Sequence, residues 1–336
     1  MIRAFTLVLL AALAAACGTP FAAAPPTPSP SPIAVTFMAG FKPQADLPFV
    51  GVYVAQEKGY FKAQGLDVTI QHATQSEHIQ LLATDRVQFS TGSAPDVLKR
   101  VAQSGVPLVA IAQIGQKGEQ ALAVRADSGI TTPKDWEGKL VGYKGSASAD
   151  YLAILKAAGV DRSKIREVGV GFDPRVLATK QVDVYPVFKS NEPDVLAKIG
   201  VPVRLFDAAD YGIPMLGLGY ITNRKTATER PDVVRRFLRA SLKGLADAIA
   251  DPAMAIDVTM KYATGEDRAH QRFMFDAELR DATSADPLGW ITRERWAAQE
   301  RTLEDVGVVA KPVDVATVVD ESFVRALYRD GKLVWP

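Results

Sequence analysis

Two short stretches concentrate polar side chains that suit ligand capture: Ser90-Thr91-Gly92-Ser93 and Lys189-Ser190-Asn191-Glu192. Each follows an apolar run, VQF in the first case and VDVYPVF in the second. Ligands of open α/β sheets bind beyond the carboxyl ends of strands, and two such exits would line one cleft if they belong to two lobes of similar build that face each other. Hydroxyl, amide and carboxylate groups there offer hydrogen bonds. They do not form a nucleophile–base set. The three histidines, His72, His78 and His270, fall in no Ser/His/Asp arrangement and have no metal-ligand spacing, and they read as surface residues. The single cysteine, Cys17, can form neither an internal disulfide nor a cysteine zinc site. No glycine-rich phosphate loop ending in Lys-Ser/Thr occurs. No metal, cofactor or catalytic residue is therefore expected, and the net charge of +1 lacks the basic bias of a nucleic-acid binder.

The N-terminus carries a different chemistry. Arg3 precedes the ten apolar residues Ala4–Leu13, a run too short for a bilayer, which takes about 20 residues. A charged start, a short apolar core and small residues read as an export signal over residues 1–16. Leu13-Ala14-Ala15-Ala16-Cys17-Gly18 resembles a bacterial lipobox, in which the thiol of the new first residue, Cys17, carries lipid. That motif prefers Leu three residues before the cysteine, where this chain has Ala14. Ordinary signal cleavage after one of the alanines and a frayed helix of an unexported protein are the alternatives. Gly18–Pro32 holds six prolines, which favour extended polyproline II and exclude helix. At about 3.1 Å per residue it reaches roughly 45 Å, so residues 17–32 read as a lipidated tether.

Length and composition, 336 residues with 48% hydrophobic and 23% charged, fit two globular domains, each burying a core. From Ile33 onward, short apolar runs (IAVTFMAG, LDVTIQHA, VQFSTG, PLVAIAQIG) alternate with helical stretches at Pro48–Tyr60, Ser76–Thr84 and PDVLKRVAQSG. The pattern restarts after residue 125 and turns mostly helical after LGLGYITN. This alternation predicts an α/β protein with a largely parallel sheet. The longest helix is expected over Pro231–Ala250, with Arg235, Arg236, Arg239 and Lys243 as a charged surface. Leu82-Ala83-Thr84-Asp85-Arg86-Val87-Gln88-Phe89 is echoed by Leu177-Ala178-Thr179-Lys180-Gln181-Val182-Asp183-Val184-Tyr185. The echo reads either as coincidence or as two lobes of similar build.

PFVGVYVAQEKGYFKAQGLDVTI, ALAVRADSGITTPKDWEGKLVGYKGSAS and LATKQVDVYPVFKSNEPDVL resemble the ABC-importer solute-binding proteins for taurine, sulfonates, nitrate and thiamine precursors. The resemblance runs from about Ile33 to Asp257. It implies a two-lobe periplasmic-binding-protein-like α/β fold with a ligand cleft between lobes. Residues 33–126 and 221–336 would form lobe 1, and residues 127–220 lobe 2. It also implies a monomer that is lipid-anchored at the cell membrane, faces the extracytoplasmic side and delivers its ligand to permease and ATPase subunits.

DLPFVGVYVA and VFKSNEPD look most like the branch that binds thiamine-pyrimidine precursors and riboflavin. A flat heteroaromatic ligand needs stacking rings and a few polar anchors. The resemblance places Phe41, Phe49, Tyr151, Phe172 and Tyr185 as rings, and Asp46, Ser90, Thr91, Asn191 and Glu192 as anchors. Pyrimidine binders often carry Trp where this chain has Gly40, and the space gained suits tricyclic riboflavin over a thiamine precursor. Sulfonate or nitrate would need a cation such as Lys144, which reads equally as an exposed lysine; Asp46 and Glu192 disfavour an anion. Fungal relatives that synthesise the thiamine pyrimidine use a cysteine-rich motif, absent after Cys17, so a binding protein is expected.

Overall fold

The computed structural model describes residues 31–74 and 76–336. The export signal, Cys17 and nearly all of the proline-rich tether lie outside the described residues. From residue 31 onward the strands are β1 (Ile33–Ala39), β2 (Leu66–His72), β3 (Phe89–Ser93), β4 (Leu108–Gln113), β5 (Gln120–Arg125), β6 (Leu140–Lys144), β7 (Arg166–Val170), β8 (Val184–Phe188), β9 (Val203–Asp207) and β10 (Leu218–Asn223). A short C-terminal hairpin adds β11 (Tyr328–Arg329) and β12 (Lys332–Leu333). The helices that matter below are α1 (Leu47–Glu57), α2 (Glu77–Ala83), α3 (Ala94–Ser104), α4 (Ala149–Ala157), α5 (Glu192–Lys198), α6 (Pro231–Ala250), α7 (Pro252–Tyr262), α8 (Arg268–Ala282) and α9 (Arg293–Asp305).

Two five-stranded sheets result, ordered β2-β1-β3-β10-β4 and β7-β6-β8-β5-β9. In the first, β1 runs parallel to β2 and β3, while β10 runs antiparallel to β3 and β4. The second repeats this order and polarity: β6 is parallel to β7 and β8, and β5 is antiparallel to β8 and β9. The sheets are thus mixed rather than largely parallel. The sequence pattern missed the reason. β5 and β10, the strands antiparallel to their neighbours, each follow a crossing rather than an amphipathic helix, and so carry no helix–strand alternation. Because β5 pairs in the second sheet and β10 in the first, the chain crosses between sheets over residues 114–119 and 208–217. The first crossing precedes the expected change of lobe at residue 126.

The sequence echo falls at equivalent places. Leu82–Phe89 leads into β3 and Leu177–Tyr185 into β8. In both, a threonine hydroxyl donates to a carbonyl four residues earlier, Thr84 to Gln80 and Thr179 to Arg175, each at 2.9 Å. The next residue turns left-handed, Asp85 and Lys180 each at φ 60°. The recurring words encode one helix stop used twice.

Packing fixes the first sheet. Phe237 of α6 stacks on Phe89 with ring centres 3.9 Å apart, and Phe37, Phe61 and Tyr220 surround it. Helices α1 and α6 cross closely at Gly51 and Gly244: a Cβ at Gly244 would lie 2.2 Å from the Gly51 carbonyl oxygen. Of the four basic residues expected on the surface of α6, Arg239 is turned inward enough to contact the Gln64 side chain at 3.2 Å. The expected helix Pro48–Tyr60 stops at Glu57, because Gly59 takes a left-handed conformation and starts a separate turn at Tyr60–Ala63.

Candidate ligand cleft

The strand ends of the two sheets face a cleft of about 610 Å³. Its first wall comes from Ser93 and the start of α3. The second comes from Lys144 at the end of β6, residues 146–149, Phe172 and Pro186–Phe188 of β8. Both crossings contribute, through Gly118–Gln120 and Met215–Leu216.

A ring-lined pair of charges occupies the second wall. Lys144 Nζ lies 4.9 Å from the Tyr185 ring centre, 5.4 Å from Phe188 and 5.6 Å from Phe172. Its ammonium pairs with the Glu192 carboxylate, which also accepts the Phe188 backbone N–H at 2.7 Å. Glu192 is the first residue of α5, where helix dipole and free N–H groups favour a carboxylate. Lys144, read equally as an anion partner or an exposed lysine, has an 11% exposed side chain and pairs with Glu192.

Carboxylates crowd the floor. Burial pushes Glu119 up to about 8, reinforced by the charges of Asp46, Asp96 and Asp150. Burial likewise pushes Asp150 up to about 7, with the nearby Asp207 adding to it. Among the described residues, Oδ1 of Asp150 has no hydrogen-bond partner although the residue is 5% exposed. Lys189 ties Asp207 (2.5 Å) to Asp281 (3.0 Å). Burial opposes its charge, but the Asp207 hydrogen bond and both carboxylates outweigh that and raise its pKa. Asp46 and Glu278 form a buried carboxyl pair whose pKa values burial raises, so the pair retains a proton in preference to two charges.

The expected site residues divide by environment. Tyr185 and Glu192 belong to the ring-lined pair but are buried and do not line the cleft, whereas Phe172, 76% exposed, does. Asn191 sits beside it, its Oδ1 3.0 Å from His270 Nε2. Phe41 is exposed on the loop after β1. Asp46 caps α1 by position and accepts from Gln44 at 2.9 Å, in the carboxyl pair described above.

The other four are structural in this state. Tyr151 is 3% exposed, stacks on Trp136 and donates to Glu167 at 2.9 Å, because its place on α4 faces the large hydrophobic core that holds Trp136 and Phe206. Phe49 is buried edge-on to His72. Ser90 donates to the Met38 carbonyl at 2.6 Å, and Thr91 accepts from the Gly40 N–H at 3.1 Å; both hydroxyls brace β1 against β3.

The histidines are also more enclosed than expected. His72 lies 2.6 Å from the Tyr53 hydroxyl, and burial lowers its pKa. His78 is buried and pushed down to about 4 by burial and the charge of Arg100, so it stays neutral. His270 Nδ1 meets Asp194 at 2.6 Å.

Lys144 was visible only as a possible anion partner, and Phe188 only as part of an apolar word. Glu119, Asp150, Glu278 and Asp281 carry no local motif at all; they converge from a crossing and from helices α4 and α8. No group of three or more potential metal ligands occurs among the described residues.

Known proteins share this build. The chain is 29% identical to the riboflavin-binding protein RibY of Chloroflexus aurantiacus, with 96% of this chain and 98% of that protein covered. It is 29% identical to the formylaminopyrimidine-binding protein of Halalkalibacterium halodurans, covering 65% and 67%. A Saccharomyces cerevisiae relative, 27% identical over 66% of this chain and 68% of its own, is named 4-amino-5-hydroxymethyl-2-methylpyrimidine phosphate synthase THI11. The crystal structure of the periplasmic aliphatic sulphonate binding protein SsuA from Escherichia coli matches with a TM-score of 0.69 at 16% identity. That match covers 86% of this chain and 92% of SsuA, and supports the two-lobe binding-protein fold. The family model described as NMT1/THI5 like matches residues 47–255, more than half of the sequence, and the chain belongs to that family.

Proposed function

We propose that the chain is the extracytoplasmic solute-binding component of an ABC importer, and that its ligand is riboflavin. The observation that carries this reading is the cleft itself: rings and hydrogen-bonding groups around about 610 Å³, in a chain alignable end to end with a riboflavin-binding protein. A tricyclic heteroaromatic fills a space of this size, with rings for stacking and carboxyl, hydroxyl and ammonium groups for its polar edge and side chain. Two lobes of similar build, joined by two crossings, suit capture by closure about a hinge. Lipid attachment at Cys17 and the proline-rich segment after it would hold such a protein near its permease.

A thiamine-pyrimidine precursor is the second reading, favoured by the formylaminopyrimidine-binding relative. The synthases among the relatives raise catalysis as a further possibility. Against it stand the absence of cysteine after Cys17 and the commitment of the cleft's Lys144 to Glu192.

A ligand panel tests the reading. Protein lacking residues 1–32 is heated with riboflavin, thiamine, a formylaminopyrimidine, taurine and nitrate. Riboflavin at 100 times its dissociation constant is expected to add about 2.7 kcal/mol and raise Tm, with flavin fluorescence altered on binding. No Tm shift at high riboflavin concentration rejects the ligand. Conversion of any panel member to product rejects the assignment as a binding protein.

A further inference from the structure

Three aromatic rings around one point, with a carboxylate beside that point, form a setting suited to a cation: the ring faces attract positive charge and the carboxylate pairs with it. Tyr185, Phe188 and Phe172 supply the rings here, and Glu192 the carboxylate. The protein fills this setting with its own cation, the ammonium of Lys144.

All five residues belong to the second sheet and its connections. Lys144 ends β6, Tyr185 and Phe188 lie on β8, Glu192 begins α5, and Phe172 follows β7. The arrangement therefore does not depend on how far the lobes close. Its cost is limited because the charges are mutually satisfied. One Glu192 oxygen faces Lys144 and the other takes the Phe188 N–H. Lys144 keeps further N–H donors free, since an ammonium has three and Glu192 engages one side of it.

We propose that Lys144 determines the ligand specificity of the cleft. It acts as a built-in cation that excludes positively charged heteroaromatics and offers a donor to the carbonyl oxygen of a neutral ring. An incoming cation meets a like charge and finds the carboxylate already paired. A neutral ring with carbonyl acceptors, such as the dione edge of a flavin, can accept from Nζ while its plane lies against the exposed Phe172. Discrimination then arises from an unfavourable contact with the wrong ligand as well as a favourable one with the right ligand. This inference rests on the proposed reading of the cleft as a heteroaromatic vitamin site.

The test measures riboflavin and thiamine binding by calorimetry on the wild-type protein and on Lys144→Met and Lys144→Gln. Thiamine is the probe because its thiazolium ring is permanently cationic. Lys144→Gln keeps a donor toward Glu192 and serves where Lys144→Met leaves the carboxylate too exposed to fold; a cooperative melt checks each. Wild-type protein is expected to bind thiamine far more weakly than either variant does, with a gain of about tenfold or more on removing the charge. Adding Glu192→Gln to Lys144→Met should abolish that gain, since no free carboxylate remains.

A folded neutral variant that binds thiamine no better than wild type overturns the proposal. So does a gain that survives Glu192→Gln. Failure of wild-type protein to bind riboflavin, with the thiamine gain still present, overturns the riboflavin reading and leaves the role of Lys144 standing.

Discussion

Glu119 and Asp150 show what burial does to single carboxyl groups in this cleft. Their pKa values are pushed up to about 8 and about 7, chiefly by burial. In an unfolded chain the same groups titrate at about 4. Between these limits the folded protein holds more protons than the unfolded chain, so stability falls as pH rises. Their contribution is complete below the unfolded values and is lost as pH climbs through about 7 to 8. Asp247 and Glu137, held down at about 2, act in the opposite sense only in more acidic solution. His78, held at about 4 against its ordinary 6.5, acts in the opposite sense up to about pH 6.5, so the ligand-free protein is expected to lose Tm from about pH 7 to about pH 8.5. Asp150→Asn and Glu119→Gln should each flatten that slope. A Tm that climbs across the window contradicts the assignment, and scanning calorimetry at a series of pH values decides it.

At the scale of elements, the crossing of α1 on α6 sets the support beneath the first sheet. Gly51 and Gly244 let the two backbones approach, and no side-chain motion can relieve a Cβ placed 2.2 Å from a carbonyl oxygen. Gly244→Ala is expected to force the helices apart and cost about 3 kcal/mol, within the usual range for overpacking. Urea unfolding reads the loss directly; an unchanged midpoint would mean that the crossing relaxes freely. The repeated helix stop before β3 and β8 works at this scale too. It delivers Ser90 to the first sheet and Tyr185 to the second at matching positions, and so builds two facing strand ends from one local device.

At the scale of the whole molecule, charged contacts join the two sheets' layers beside the cleft. His270 and Asp267 of the segment opening α8 reach Asp194, Asn191 and Lys198 of α5 and its start. Lys189 reaches Asp281 from the end of β8, and on another side Lys156 of α4 meets Asp305 at the end of α9 at 3.2 Å. These polar contacts suit surfaces that part and meet again, because water can replace each partner. No helix among the described residues is long and apolar enough to cross a membrane. Membrane attachment, as proposed, depends on Cys17 alone. Cys17→Ser is expected to move the protein from the membrane fraction to the soluble one without changing riboflavin affinity, as read by fractionation and fluorescence titration. Protein that stays with membranes would disprove the lipid anchor.

Local words determined much of this protein. Strands such as LDVTI and the helix with Pro48 in its first turn follow from periodicity and that proline, signals that act within a few residues. The repeated Leu-Ala-Thr word pointed to two similar halves because a helix stop is a local event. Asn191-Glu192-Pro193 marked a strand exit at a helix start, and Glu192 there is buried and pairs with the cleft residue Lys144. Other features depended on distance in the chain. Burial of Tyr151 against Trp136 is set by which face of α4 meets the large hydrophobic core, and periodicity does not name the partner. β5 and β10 declare neither their sheet nor their direction, since each pairs with strands far away in the chain, as Val124 does with Val184 and Thr222 with Phe89. The pairing of Lys144 with Glu192 is likewise tertiary: an isolated lysine word reads as solvent-exposed until β6 and α5 are brought together, and only that meeting turns two ordinary charges into the occupant of an aromatic cage.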